Sequence, residues 1–169
     1  LLLGGWLRAA GFTAWGAKWL SLLAGLPAIA LVWALARRWA GRPAAPWAAW
    51  LAALSPAYLW YAQEVRPYAL AVTLAALGVY ALDRGLEALR LGASEARATR
   101  DPGGGAGGPR RRPGALGWTA LAVAANAALV WTHYLGFFVV AFELALVVAV
   151  AGGPEVARRW RARGAVGRE

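Results

Sequence analysis

The sequence predicts an all-α protein, a polytopic transmembrane helical bundle, on three observations. The chain has 169 residues of which 60% are hydrophobic, and its mean hydropathy is +0.48. That is too apolar for an ordinary soluble domain. The apolar residues gather into blocks that approach the roughly 20 residues needed to cross about 30 Å of hydrocarbon. The basic residues gather between those blocks, with 15 of the 18 Lys and Arg falling in connections on one side.

The elements follow in order. Residues 1–18 read as an interfacial segment, because "LLLGGWLRAAGFTAWG" is broken by glycines while Trp6, Arg8, Phe12 and Trp15 suit the headgroup level. Residues 19–151 read as the transmembrane region. Its first span runs from Trp19 to Ala36 and ends in "RRWAGRP"; its second runs from Trp47 to Ala62, with a kink expected at Pro56. A third opens on Pro67, a good first-turn residue, and ends near Asp83. Residues 83–114 read as a cytoplasmic Gly/Pro/Arg-rich loop, and "DPGGGAGGPRRRPG" within it as a flexible linker. A fourth span covers about 115–131 and a fifth about 134–151, followed by a basic cytoplasmic tail at 152–169.

The side with 15 basic residues is expected to be the cytoplasm, which turns "QEVR" and "WTHY" outward with Arg8, Lys18 and Arg66. The net charge of +10 then serves orientation and attraction to anionic headgroups. It does not call for nucleic acid. With no cysteine, a disulfide, a thiolate metal site and a cysteine nucleophile are all excluded within these residues. No methionine occurs and no signal peptide opens the chain, so a piece of a longer protein is expected.

Two outward turns carry the chemistry. "YAQEVRPY" holds Gln63, Glu64, Arg66 and Tyr68, and "WTHYLG" holds His133 and Tyr134. The planar fork of an arginine offers paired donors to two phosphate oxygens, and Tyr58, Trp60, Tyr61 and Trp131 offer flat faces to sugar or lipid. An arginine among aromatics at a helix end also serves as a plain interface anchor, with Glu64 as its local partner. Both readings stand on these residues alone. His133 is open to use as a base, a metal ligand or a helix-end donor.

Glu143 lies near the middle of the fifth span, where a lone carboxylate costs a few kcal/mol. It must be protonated, paired or facing a polar cavity. Asn126 of the fourth span is its expected partner, at a depth differing by roughly 5 Å. An interhelical hydrogen bond and a substrate or proton pathway are the two uses for this intramembrane pair.

The stretch from Arg37 to Leu82 resembles the central region of the family 39-type, GT-C membrane glycosyltransferases, the dolichyl-phosphate-mannose-protein mannosyltransferase-like group. In that group a Ser-Pro segment leads into a Gln-Glu-x-Arg-x-Tyr turn, here Ser55, Pro56, Gln63, Glu64, Arg66 and Tyr68. "AKWLSLLAG" is similar to the group's Arg-x-x-Ser-x-x-x-Gly helix start, with Lys18 in the arginine's place. "WTHYLGFFVVAFELAL" is similar to its Thr-His-Tyr segment, with Glu143 where glutamine is expected. The resemblance implies an integral-membrane enzyme that moves a sugar from a polyprenyl-phosphate carrier to a protein, lipid or glycan acceptor on the outer face of a bacterial plasma (inner) membrane.

Carried onto this chain, the resemblance makes Arg66 a counter-charge to the carrier phosphate, with Glu64 orienting it or placing the sugar. Gln63, Tyr68, Lys18, His133 and Tyr134 would complete the donor phosphate and sugar site. The catalytic acid of such enzymes lies in the first outward loop, upstream of these residues, so no residue here is assigned as the catalytic base. No cofactor is required with certainty. Glu64 and His133 leave room for a divalent metal, though two ligands are too few to assign one. A transporter or flippase using Glu143 and Asn126, or a non-catalytic membrane scaffold, are the alternatives.

Overall fold

The computed structural model describes residues 2–98 and 114–149. Among them the chain forms seven helices and no strand: α1 (Leu2–Ala10), α2 (Ala14–Trp39), α3 (Ala44–Ala53), α4 (Pro56–Gln63), α5 (Tyr68–Ala98), α6 (Ala115–Thr132) and α7 (Gly136–Ala149). The chain is a helical membrane bundle. α2, residues 68–92 of α5, and α6 are each long and apolar enough to cross a bilayer. The linker run at 99–113 and the basic tail expected at 152–169 lie outside the described residues.

Local chemistry explains the helix ends. Gly11, at a positive φ of 86°, turns the chain between α1 and α2, and the Thr13 hydroxyl then accepts the Gly16 N–H at 3.0 Å as the N-cap of α2. Trp6 ties α1 down by donating its indole N–H to the Gly16 carbonyl at 2.7 Å. The kink expected at Pro56 is a full break. The chain turns at Leu54, Ser55 caps the next helix, and Pro56 is its first residue. The expected second span is therefore two short helices, α3 and α4. The fifth is a helix of 14 described residues.

What is buried is small and what is exposed is large. The core is mostly alanine, with Ala28, Ala45, Ala69, Ala81 and Ala125 nearly inaccessible. Outside stand Trp47, Trp50, Phe137, Phe138 and Trp131, the last 94% exposed. A soluble protein would hide these rings. In lipid no hydrophobic force draws them inward, and small residues win the helix contacts because they let backbones approach. Gly25 of α2 is one such place: an added Cβ would sit 2.8 Å from the Tyr58 hydroxyl, which donates to the Gly25 carbonyl. On α5, Gly78 and Gly85 lie two turns apart on the face that α6 covers, beside Asn126 and Thr119 respectively.

α2 and α5 run parallel. At one end the Thr73 hydroxyl donates to the Ala24 carbonyl at 2.6 Å; at the other, Arg38 Nε meets Asp83 Oδ2 at 2.5 Å. That second contact corrects the expectation of a loop starting at residue 83, because α5 continues to Ala98. Asp83 and Glu87 are one turn apart and both bind Arg38, whose Nη2 lies 3.0 Å from Glu87 Oε2. Arg84 joins Glu87 at 3.1 Å and lies over the Trp118 ring, and the Trp39 indole donates to Asp83 Oδ1 at 3.2 Å. The polar residues that suggested a loop are a clasp between the end of α2 and the middle of α5.

Arg38 and Asp83 are only about a quarter exposed, so removing one strands the other. Arg38→Ala is expected to destabilise the folded bundle by about 1–3 kcal/mol, read as a lower unfolding midpoint of the protein in lipid nanodiscs. Arg38→Lys should recover part of the loss, because it restores charge without the fork. An unchanged midpoint in Arg38→Ala would show the clasp to be idle.

Candidate functional site: a charged aromatic cluster at one end of the bundle

α5 and α6 are antiparallel, since Gly78 faces Asn126 while Gly85 faces Thr119. This returns the end of α6 to the start of α5, and so brings the two turns together. The Tyr68 and His133 rings lie 5.1 Å apart, centre to centre. Tyr61 of α4 also packs on Tyr68, at 4.9 Å, and Tyr134 stacks on His133 at 5.1 Å and 15°. Four rings in a row thus join α4, α5 and the α6–α7 turn.

Arg66 sits at the edge of this row. Its Nη1 donates to the Tyr68 hydroxyl at 3.3 Å, and its Nε is 4.0 Å from Glu64 Oε2. Glu64 is held from the other side by the Trp60 indole N–H at 3.2 Å. The hydrogen bond to Tyr68, and after it the negative charge of Glu64, raise the Arg66 pKa further above its ordinary value, and a guanidinium is a cation at any physiological pH. At 4.0 Å Glu64 pairs with it only loosely, and the Arg66 side chain is 65% exposed, which leaves donors free for an anion. The arrangement is a cation with a nearby carboxylate, framed by flat rings.

His133 ends α6, where its backbone N–H bonds the Leu129 carbonyl at 2.9 Å. Its Nδ1 accepts the Leu135 N–H at 3.2 Å, which leaves Nε2 as the protonated donor of the neutral ring. The tight α6–α7 turn depends on Gly136, where a Cβ would fall 2.7 Å from Leu129 Cγ and 3.1 Å from its backbone.

Of the residues expected to form one site, Glu64, Arg66, Tyr68, His133 and Tyr134 come together. Gln63 is exposed as the last residue of α4, next to Glu64. Lys18 is exposed in the first turns of α2, at the same end of the bundle, outside the ring cluster. Among the described residues no group of three His, Cys, Asp or Glu side chains is placed to hold a metal ion. The expected Asn126–Glu143 contact is present, at 2.5 Å from Asn126 Nδ2 to Glu143 Oε2, between helices and away from the ring cluster, with Glu143 buried and Asn126 half-buried. Sequence reasoning missed the Arg38 clasp. Its signal was the pair of acids Asp83 and Glu87 at helical spacing.

An exposed fixed cation among aromatic rings, at the end of a membrane helical bundle, is suited to an anionic group presented at the membrane surface. The class this defines is a polytopic helical membrane protein with an exposed arginine among aromatic rings at one end of the bundle. The family model for dolichyl-phosphate-mannose-protein mannosyltransferase matches residues 2–93, a stretch that includes Lys18, Gln63, Glu64, Arg66 and Tyr68. The chain belongs to that family of GT-C-type membrane glycosyltransferases. No curated protein and no solved structure matches it.

Proposed function

We propose that this chain belongs to an enzyme that transfers a sugar from a polyprenyl-phosphate carrier to an acceptor at the outer face of a plasma membrane. The single observation that carries the reading is the convergence of Arg66, Glu64 and Tyr68 with His133 and Tyr134 at one end of the bundle. In this reading Arg66 and the His133 Nε2–H face the phosphate that links carrier and sugar. As the glycosidic bond breaks, negative charge gathers on the departing polyprenyl phosphate. A cation already in place stabilises that charge without reorganising.

Glu64 positions Arg66 and presents a carboxylate to sugar hydroxyls, while Tyr68 and Tyr134 offer hydroxyls and ring faces to the sugar. Lys18 adds positive potential at the same end, and Gln63 a further amide. The interfacial segment at 1–18 and the Arg-rich connections set the orientation, with the connections on the cytoplasmic side. Family membership favours this reading over a transporter or a scaffold.

The test is a transfer assay in membranes containing the whole enzyme to which this chain belongs, since these residues alone are expected to be inactive, comparing mannose linked to a polyprenyl phosphate with mannose linked to a nucleotide. Transfer is expected from the lipid-linked donor alone. Transfer from the nucleotide sugar with none from the lipid-linked donor would overturn the reading.

A further inference from the structure

The buried Asn126–Glu143 pair has no part in the proposed transfer chemistry. Glu143 is 4% exposed and Asn126 is half-buried, and the two are joined by the bond from Asn126 Nδ2 to Glu143 Oε2. The other oxygen of each, Glu143 Oε1 and Asn126 Oδ1, is fully buried and finds no hydrogen-bond donor among the described residues. Both oxygens converge on one spot on α5. A Cβ built on Gly78 would lie 2.9 Å from Asn126 Oδ1 and 3.0 Å from Glu143 Oε1.

Two buried acceptors without a donor, at the crossing of three helices, are costly in a low-dielectric interior. An external donor does not resolve the cost. A groove of about 840 Å³ opens between α6 and α7, lined by Asn126 and Glu143 themselves with Val123, Val140 and Leu144 among others, but the two orphaned oxygens are turned away from it and inaccessible. An ionised carboxylate would add an unpaired charge to the same site. One hydrogen placed on the carboxyl group removes all three difficulties.

We infer that Glu143 carries a proton on Oε1 and donates it to Asn126 Oδ1, closing a cyclic pair of carboxylic acid and carboxamide. Each group then donates once and accepts once. Acid and amide are matched in shape, and Gly78 supplies the room because it places no side chain between α5 and the pair. The pair is a neutral clasp fastening α7 to α6, which lets a helix containing glutamate rest in hydrocarbon without a counter-ion. The protonated acid presents the same donor and acceptor pattern that a glutamine side chain would.

The test needs no assay of sugar transfer. In the infrared spectrum of the full chain in lipid nanodiscs at neutral pH, wild type is expected to show the carbonyl stretch of a hydrogen-bonded, protonated carboxyl. Glu143→Gln should lack it, and Asn126→Leu should move it to the higher frequency of a carboxyl with fewer hydrogen bonds. Glu143→Gln replaces the acid proton with an amide N–H, so it should unfold at the wild-type midpoint, whereas Glu143→Leu, which leaves the Asn126 amide unpaired, should unfold earlier. The inference fails if wild type shows carboxylate bands alone, if the band persists in Glu143→Gln, or if Gln and Leu at this position destabilise equally.

Discussion

Arg66→Ala is expected to lower sugar transfer by about 100-fold or more while the protein inserts and accumulates as wild type. The magnitude follows from what one fixed donor contributes to a developing anion in a catalytic site, about 100- to 1000-fold. The unimpaired accumulation follows from position. Arg66 lies in the turn between α4 and α5, its side chain is mostly exposed, and its contacts are to Tyr68 and Glu64 within two residues of itself. Nothing in the helix packing rests on it. Arg66→Lys should recover only part of the rate, since a point charge replaces a two-donor fork. The readout is transfer from a lipid-linked sugar, normalised to protein in the membrane. Wild-type turnover in Arg66→Ala would leave Arg66 as an interface anchor.

Gly78→Leu is expected to have the largest effect on folding. Its Cβ alone would stand 2.9 Å from Asn126 Oδ1 and 3.0 Å from Glu143 Oε1, and the remainder of the side chain has nowhere to go between three helices. Overpacking of this kind costs about 1–3 kcal/mol, and loss of the Asn126–Glu143 contact adds to it. Because the meeting of α5 with α6 is also what brings His133 to Tyr68, the variant should lose function along with stability. The measurement is the unfolding midpoint in nanodiscs together with the amount of protein inserted. Gly117→Leu is the control, since a Cβ there meets nothing within 4 Å, and it should behave as wild type. Equal behaviour of the two leucine variants would show that the α5–α6 crossing tolerates bulk.

The helical class was legible in the sequence because apolar blocks of membrane length and the gathering of basic residues in the connections are both local features. The break between α3 and α4 was half legible. Pro56 announces a disturbance, but whether a helix bends or ends depends on Ser55 taking the cap and Leu54 turning. Residues 83–98 misled because charge density reads as a loop until the partner is known, and Arg38, 45 residues earlier, is that partner.

The site was legible as two separate turns, since polar groups at the ends of apolar runs stand out. Their meeting was implied only by the family resemblance. It depends on Gly78 letting α6 approach α5, and a glycine in an alanine-rich helix gives no sign of what it faces. The Asn126–Glu143 pairing was legible because a carboxylate within a span demands a partner, and few polar residues lie at its depth.

The central claim is that the cluster around Arg66 recognises the phosphate of a polyprenyl carrier. Native mass spectrometry of the protein, titrated with polyprenyl phosphate and with the neutral polyprenol of equal length, tests it most directly. Wild type is expected to prefer the phosphate by about 10-fold or more, the gain of one charge-assisted bidentate contact of about 1.5–3 kcal/mol, and Arg66→Ala to lose that preference while keeping its affinity for polyprenol. Equal binding of phosphate and polyprenol by wild type, or a preference that survives in Arg66→Ala, would contradict the account.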